Sequence, residues 1–168
     1  MTLALAIVAT AAAAADPPKV LVGRSIGAVR LGMTEAAVTA VYGAPKRMTR
    51  WHLGGRAGPT AEHDAQGGTL VVYFDANRVA AVETASPRYR LAGAVRVGTI
   101  TPRRPNEFSF SWRGFGYDAC SGAYRRRAYG AVTELVLPVG ARTGRRIVAI
   151  AIADGAHLLL LPGAGRCD

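Results

Sequence analysis

A short amphipathic helix is the clearest element in the pattern of apolar and polar positions. Val38, Val41 and Tyr42 recur at helical spacing, so they are expected to share one face. Thr34 precedes the segment as an N-cap, and Gly43 follows it as a C-terminal stop. Glu35 falls in the first turn, where a carboxylate favours the helix dipole. The pattern predicts a helix of about nine residues that needs tertiary packing to persist.

Alternating apolar positions predict antiparallel strands in the rest of the chain. Residues 69–74 and 79–84 are expected to form a hairpin, and residues 131–138 and 147–153 to form later strands. The segment 47–68 is polar and rich in glycine, which predicts an incomplete strand followed by a mobile loop.

A repeated phrase divides the chain into two parts. Residues 27–34 read GAVRLGMT, and residues 93–99 read GAVRVGT at an offset of 66 residues. Each copy is expected to form a short strand that ends in a glycine turn. In the second part Pro102 and Pro105 disfavour a helix, so the second helix is expected to be degraded, displaced or replaced by a loop.

Two segments carry a family resemblance. The runs IGAVRLGMTEAAVTAVYGAPKR and VVYFDANRVAAVETASP resemble small exported proteins of the beta-lactamase-inhibitor-protein-like class. They are also similar to the outer-membrane assembly lipoproteins. The resemblance implies a helix packed on antiparallel sheet, in tandem, and members that act by binding other proteins. It implies no catalytic residue.

The N-terminus resembles a secretory signal. Residues 1–15 carry no charged side chain and end in a run of alanines, followed by Asp16, Pro17 and Pro18. Cleavage after Ala15 would leave a mature chain of 153 residues. No cysteine lies near this site, so we expect no lipid attachment there, and the apolar run is too short to span a membrane.

The charge balance is strongly basic. The 168 residues carry 21 Lys+Arg and 11 Asp+Glu, a formal net charge of +10, and all but two of the cations are arginine. This length and composition exclude a large multidomain enzyme, a disulfide-dense miniprotein and a polytopic membrane protein. Clustered arginines form a candidate surface for an anionic partner: Arg103, Arg104, Arg125, Arg126, Arg127, Arg145 and Arg146. The alternative is a solvated basic face that only confers solubility.

The two cysteines, Cys120 and Cys167, are expected to form a disulfide in an oxidising compartment. On the chain-entropy model such a bridge contributes about 4 kcal/mol. The alternative is a nucleophilic Cys120, but no histidine lies near it in sequence.

Catalytic signatures are lacking in the sequence. It contains no nucleophile elbow, P-loop, dinucleotide fingerprint or zinc-protease motif. Residues 62–64 are three adjacent potential metal ligands, but neighbours in a loop seldom converge on one ion. Four carboxylates could belong to an acid/base pair, and sequence alone does not pair them: Glu83, Asp118, Glu134 and Asp154. We expect no catalytic residue, metal or cofactor.

These observations predict an α+β fold with one short helix on antiparallel sheet, arranged as two pseudo-repeats. The expected divisions are a signal peptide at 1–15, a first α+β unit at 16–92 and a divergent β-rich unit at 93–168. The predicted function is an exported, non-enzymatic binding protein of the cell envelope or extracellular space. Its partner would be an envelope protein or an anionic envelope component, and not nucleic acid. The alternatives are a secreted enzyme inhibitor and an envelope-polymer hydrolase.

Overall fold

The computed structural model describes residues 18–53, 55–101, 111–118, 122–138 and 146–162. The predicted signal peptide, both cysteines and the segment 102–110, where a second helix was in question, lie outside these ranges. None of the helices in the described ranges has the length and apolar character needed to cross a membrane.

A large antiparallel sheet organises the described residues. Its nine strands run in the order β4-β5-β6-β7-β12-β11-β10-β9-β8, and a separate three-stranded sheet has the order β1-β2-β3. The strands are β1 (Val20–Leu21), β2 (Ser25–Ile26), β3 (Val29–Arg30), β4 (Arg47–Leu53), β5 (Arg56–Asp64), β6 (Thr69–Asp75), β7 (Arg78–Thr84), β8 (Ser111–Trp112), β9 (Phe115–Asp118), β10 (Ala123–Ala128), β11 (Ala131–Val136) and β12 (Ala149–Asp154).

The predicted helix is confirmed as α1 (Glu35–Tyr42), although Val41 is 51% exposed and does not share the buried face of Val38. The Thr34 hydroxyl accepts a hydrogen bond from the Ala37 N–H at 3.3 Å, as an N-cap side chain does. At the other end the Gly43 N–H donates to the Thr39 carbonyl at 2.8 Å. Gly43 has φ +79°, a left-handed conformation that glycine adopts without steric cost.

The helix and the small sheet cover one side of the large sheet, which we call the helix face. Alternate residues of the central strands point to this side and form one continuous core. It contains Val38 of α1, Ile26 and Val29 of the small sheet, and Leu70, Val72, Val82, Ile150 and Ile152 of the large sheet. The α+β class with a single helix on antiparallel sheet is therefore confirmed for the described residues, and the sheet dominates.

The other side of the sheet, the opposite face, carries a smaller apolar cluster. A 3₁₀ turn at Leu158–Leu160 follows β12 and packs back over this side. The cluster joins Ala81, Val132, Val136, Ala149, Ala151, Ala153 and Leu161, with Tyr73, Leu158 and Leu160 packed against it.

The prediction of an incomplete strand and a mobile loop at 47–68 is wrong. The segment forms a hairpin, in which β4 and β5 pair from Arg47–Glu62 to Leu53–Arg56. Six of the seven β4 residues are exposed, because the strand lies at the sheet edge. An edge strand buries little on either side, so the apolar alternation that identifies a strand is missing from its sequence.

Gly58 explains how this polar hairpin is fixed in place. The Trp51 indole Nε1 donates a 2.8 Å hydrogen bond to the Phe74 carbonyl, reaching across β5. A Cβ at Gly58 would overlap that oxygen and lie 2.6 Å from Nε1. The β5–β6 pairing begins only at Thr60–Tyr73, which leaves the Phe74 carbonyl available to the indole. Gly58 suggests a flexible loop when only the sequence is considered. In the structure it leaves space for the Trp51–Phe74 hydrogen bond that fixes β4 to the sheet.

The first copy of the repeated segment is tied to the start of β7. The Gly32 N–H donates to the Val79 carbonyl, and the Val79 N–H donates to the Met33 carbonyl, both at 2.8 Å. Arg78 Nη1 also donates to the Gly32 carbonyl at 2.9 Å.

The second copy makes the corresponding contacts just before β12. The Gly98 N–H donates to the Ile147 carbonyl at 2.7 Å, and the Ile147 N–H donates to the Thr99 carbonyl at 2.9 Å. Arg146 Nη1 donates to the Gly98 carbonyl at 3.2 Å. The first copy contains the short strand β3, as expected. The second contains a 3₁₀ turn at Ala92–Ala94 instead, where Ala94 takes a positive φ of 64°.

Burial of His63 makes the fold sensitive to acid. His63 lies on the helix face beside the Tyr42 ring, with ring centroids 5.9 Å apart, and its Nδ1 has no hydrogen-bond partner. Burial lowers the pKa of His63 below 6.5, because the charged imidazolium is poorly solvated there. Below about pH 6.5 the unfolded chain therefore takes up a proton that the folded chain resists.

We expect the free energy of unfolding to fall as the pH drops below about 6.5, and His63→Leu to remove most of this slope. Urea unfolding of both proteins between about pH 5 and pH 8 measures it. The control is His52→Leu, at an exposed position of β4, which should keep the wild-type slope. An unchanged slope in His63→Leu would show that other groups cause the acid sensitivity.

Candidate functional site

One end of the large sheet collects most of its tight turns. Because the strands are antiparallel, the β4–β5, β6–β7, β8–β9 and β10–β11 connections and the turn after β12 all lie at this end. The turns are close together: a Cβ at Gly155 would lie 2.7 Å from the Gly130 carbonyl oxygen. We call this region the turn end.

Exposed arginines lie at or beside the turn end although they are far apart in sequence. The β1–β2 turn reaches it because the Gly23 N–H donates to the Thr133 hydroxyl at 2.8 Å, and because Gly23 packs against the Ala128 carbonyl too closely for a Cβ. The exposed arginines are Arg24, Arg56, Arg78, Arg113, Arg126 and Arg127.

Tyr129 projects from the tip of the β10–β11 hairpin. Its side chain is among the most exposed large apolar groups of the described chain, at 73%. Tyr129 and Gly130 both have positive φ, 54° and 74°, in a turn that prefers asparagine followed by glycine. A bulky residue in this conformation is strained. The Arg24 guanidinium stacks 3.8 Å from the centre of the ring, a cation–π contact.

A charged cluster fixes the turn after β12 to the β6–β7 hairpin. His157 Nδ1 lies 2.5 Å from Asp154 Oδ1, and His157 Nε2 lies 2.9 Å from Asp75 Oδ2. Arg56 pairs with the same Asp75 carboxylate. The hydrogen bond from His157 and the charge of Arg56 lower the pKa of Asp75, so this carboxylate stays ionised. The cluster thereby neutralises Asp75 within the turn end.

The three consecutive arginines of β10 do not share one surface, because successive strand residues point to opposite sides. Arg125 turns inward: its Nε contacts Glu134 Oε2 and its Nη1 contacts Asp118 Oδ2, each at 2.6 Å. Glu134 is completely buried, and Arg125 Nη2 is buried without a hydrogen-bond partner. Arg126 and Arg127 remain exposed.

A small pocket adjoins this ion pair. Its volume is about 290 Å³, and Tyr117, Asp118, Arg125, Arg127 and Leu158 are among the residues that line it.

The other arginines that the sequence singled out are elsewhere. Arg146 is exposed before β12, at the opposite end of the sheet from Arg127. Arg103, Arg104 and Arg145 lie outside the described residues, as do Cys120 and Cys167, so the predicted disulfide stays a prediction. The structure thus places Arg126 and Arg127, on opposite sides of β10, at the same end of the sheet as arginines that sequence reasoning missed. The sequence contains one local signal for the turn end. It is a bulky residue directly before a turn glycine, in Arg113-Gly114 and in Tyr129-Gly130.

The potential metal ligands at 62–64 diverge. His63 points into the core on the helix face, while Glu62 is paired with Val71 on the opposite face. Asp64 is exposed and forms a 3.2 Å ion pair with Lys46. Within the described ranges, no three histidine, cysteine or acidic residues come together as metal ligands.

Two of the candidate carboxylates come close together across the middle strand. Glu83 and Glu134 both pair with Ala151, from β7 and β11 respectively, so they flank it on the opposite face. Burial raises the pKa of Glu83, and the charge of Glu134 raises it further, although a hydrogen bond from Tyr73 opposes this. Arg125 bridges Asp118 to Glu134, so Asp118 lies beside this pair, whereas Asp154 is held by His157 in the turn after β12.

Comparison with family models and with curated proteins finds no match. Two solved structures have a similar fold. An extracellular protein containing a SCP domain from Bacillus anthracis superposes with a TM-score of 0.53 and 11% identity, over 77% of this chain and 45% of that one. The uncharacterized protein yfeY from Escherichia coli superposes with a TM-score of 0.50 and 12% identity, over 82% of this chain and 98% of that one.

The likeness is one of fold. This chain spans less than half the length of the Bacillus anthracis protein, at 45%. Neither structure is named as a beta-lactamase inhibitor or an assembly lipoprotein, so the finer resemblance drawn from the sequence stays a prediction.

Arg125→Met should destabilise the fold by about 3 kcal/mol, because it removes ionic hydrogen bonds from a buried carboxylate. Arg126→Met, one residue along and exposed, should cost less than about 1 kcal/mol. Urea unfolding of both variants compares them. Equal effects would contradict a structural role for Arg125.

Proposed function

We propose that the protein is an exported, non-enzymatic binding protein that attaches to an anionic component of the cell envelope through its turn end. The observation that carries the proposal is the location of several exposed arginines at the end of the sheet from which the exposed and strained Tyr129 projects, with Arg24 stacked on its ring. Backbone strain at an exposed aromatic residue supports this, because strained residues cluster at binding sites.

Chemistry supports an anionic partner. Guanidinium groups match the geometry of phosphate and carboxylate oxygens and keep their charge at every physiological pH. Arg113 lies in the β8–β9 turn, and Arg126 and Arg127 lie near the end of β10, so their backbone loses little conformational freedom on binding. Asp75 is paired with Arg56, and Asp154 is paired with His157. Their negative charges therefore repel an anionic partner less.

Export is supported by the signal-like segment at 1–15. The Bacillus anthracis protein of similar fold is described as extracellular, which is a statement about that protein. We extend this location to the present chain as part of the proposal.

Replacing Arg126 and Arg127 together by alanine should weaken binding of the mature chain to isolated envelopes about 30-fold at low salt, at about 1 kcal/mol for each arginine near an anionic surface. Co-sedimentation across a salt series measures this, and the difference should vanish at high salt.

The matched control replaces Arg88 and Arg90, which are also exposed but follow the opposite end of β7. Their replacement should have little effect. An equal loss in both double variants would show that overall charge, and not the turn end, drives binding. Binding that survives high salt in all variants would favour a single protein target, as the inhibitor hypothesis requires.

We also infer that residues 16–92 and 93–168 are two related units. In each unit a glycine and the residue after it form two backbone hydrogen bonds to one residue at or just before a central strand. The arginine that precedes this residue also donates to the carbonyl of the glycine. The positions correspond as Gly32 with Gly98 and Val79 with Ile147. Superposition of the two units in a crystal structure tests the relation, and unrelated chain paths around these pairs would refute it.

A further inference from the structure

We propose that the free edge of β4 is a docking site for an extended, acidic segment of a partner protein, which adds to the sheet as a further strand. This surface is separate from the turn-end arginines, and the inference holds whether or not those bind the envelope.

The edge is open and long. β4 pairs with β5 over all seven of its residues, and within the described ranges it has no neighbour on the other side. Its backbone groups on that side are therefore available for hydrogen bonding to another chain. Met48 and Leu53 are 47% and 36% exposed there, which is apolar surface that a partner strand could cover.

The edge is also rigid before any partner arrives. Trp51 is buried and its indole is hydrogen-bonded to the Phe74 carbonyl two strands away. An edge strand held in this way needs no ordering on binding, which favours affinity.

Charge determines which occupant fits. Arg47 and Arg50 are both exposed, and neither forms an ion pair within the described residues, although Arg47 lies opposite Glu62 in the β4–β5 ladder. Two copies of this chain that met antiparallel at β4, centred on Arg50, would place Arg50 directly opposite itself, and like charges so placed are destabilising. An acidic strand instead gains a cross-strand pair at each arginine.

Register gives the pattern of the partner. On an antiparallel partner strand, the residues opposite Arg50 and Arg47 are three apart, so they point to opposite faces. The residue opposite Met48 lies between them. The edge therefore selects a segment with carboxylates at positions i and i+3 and an apolar residue at i+2.

The probe is the peptide acetyl-Val-Glu-Thr-Glu-Thr-Val-Glu-amide, whose residues would lie opposite Leu53 to Arg47 in order. Fluorescence anisotropy of a labelled peptide at low salt should show saturable binding. Two methylated versions of the peptide are compared, one methylated at the odd-numbered backbone nitrogens and the other at the even-numbered ones. At least one of them should lose saturable binding, because strand pairing needs those N–H groups.

Arg50→Glu should weaken binding of the acidic peptide about tenfold, since one attractive cross-strand pair becomes repulsive. The Arg50→Glu variant should instead bind the peptide in which lysine replaces each glutamate. The matched control is Arg88→Glu, an equal change of charge at an exposed residue outside the sheet edge. Circular dichroism checks that each variant is folded.

Three results would overturn the proposal. Absent binding excludes an edge site for such segments, and undiminished binding of both methylated peptides means that charge alone attracts them. Dimerisation in sedimentation velocity that Arg50→Glu alters would make a second copy the occupant. Arg50→Glu should leave envelope co-sedimentation unchanged, so the two binding surfaces can fail separately.

Discussion

The antiparallel pairing of β7 with β12 is the contact on which the rest of the molecule depends. It runs from Thr84–Ile150 to Ala81–Ala153 and joins the strands built from the first part of the chain to those built from the second. Without it there would be two small sheets, each too narrow to bury its helix-face residues. With it, Val82 and Ile152 belong to one core, and hairpins from both halves meet at one end.

Burial on the opposite face follows a different principle from burial on the helix face. On the opposite face the sheet buries an acidic residue, Glu134, which forms an ion pair with Arg125. Such pairs add little net stability compared with apolar residues of the same size, because both ions lose their hydration. The ion pair alone does not fix the register, because a shift of β10 by one residue would place Arg126 opposite Glu134. The same shift would take Tyr124 out of the helix-face core and turn Arg125 toward that core, so the apolar side of β10 determines the register.

The elements with local signals could be predicted, and the surfaces could not. Thr34 and Gly43 determine the ends of α1, and the turn at 75–78 determines a hairpin, because each acts on its immediate neighbours. The strands at 47–64 were missed because an edge strand buries too little to show alternation, and because Gly58 serves Trp51 and not a turn. The turn end depends on which strands pair over distances of 60 residues or more, as in Ile150–Thr84. That Arg24, Arg56 and Arg127 lie at the same end of the sheet can be predicted only once that pairing is known.

The β7–β12 ladder has a further consequence for how such a chain could arise. Under the proposed correspondence of Val79 with Ile147, Glu83 corresponds to Ala151, and these two residues face each other. They therefore lie on the local pseudo-twofold axis between the units. An ancestor with identical halves would have put the same side chain on both sides of that axis. Two glutamates there would repel each other in a buried setting, whereas two alanines would not. Under this correspondence, the pairing therefore admits a glutamate at this position in one half only.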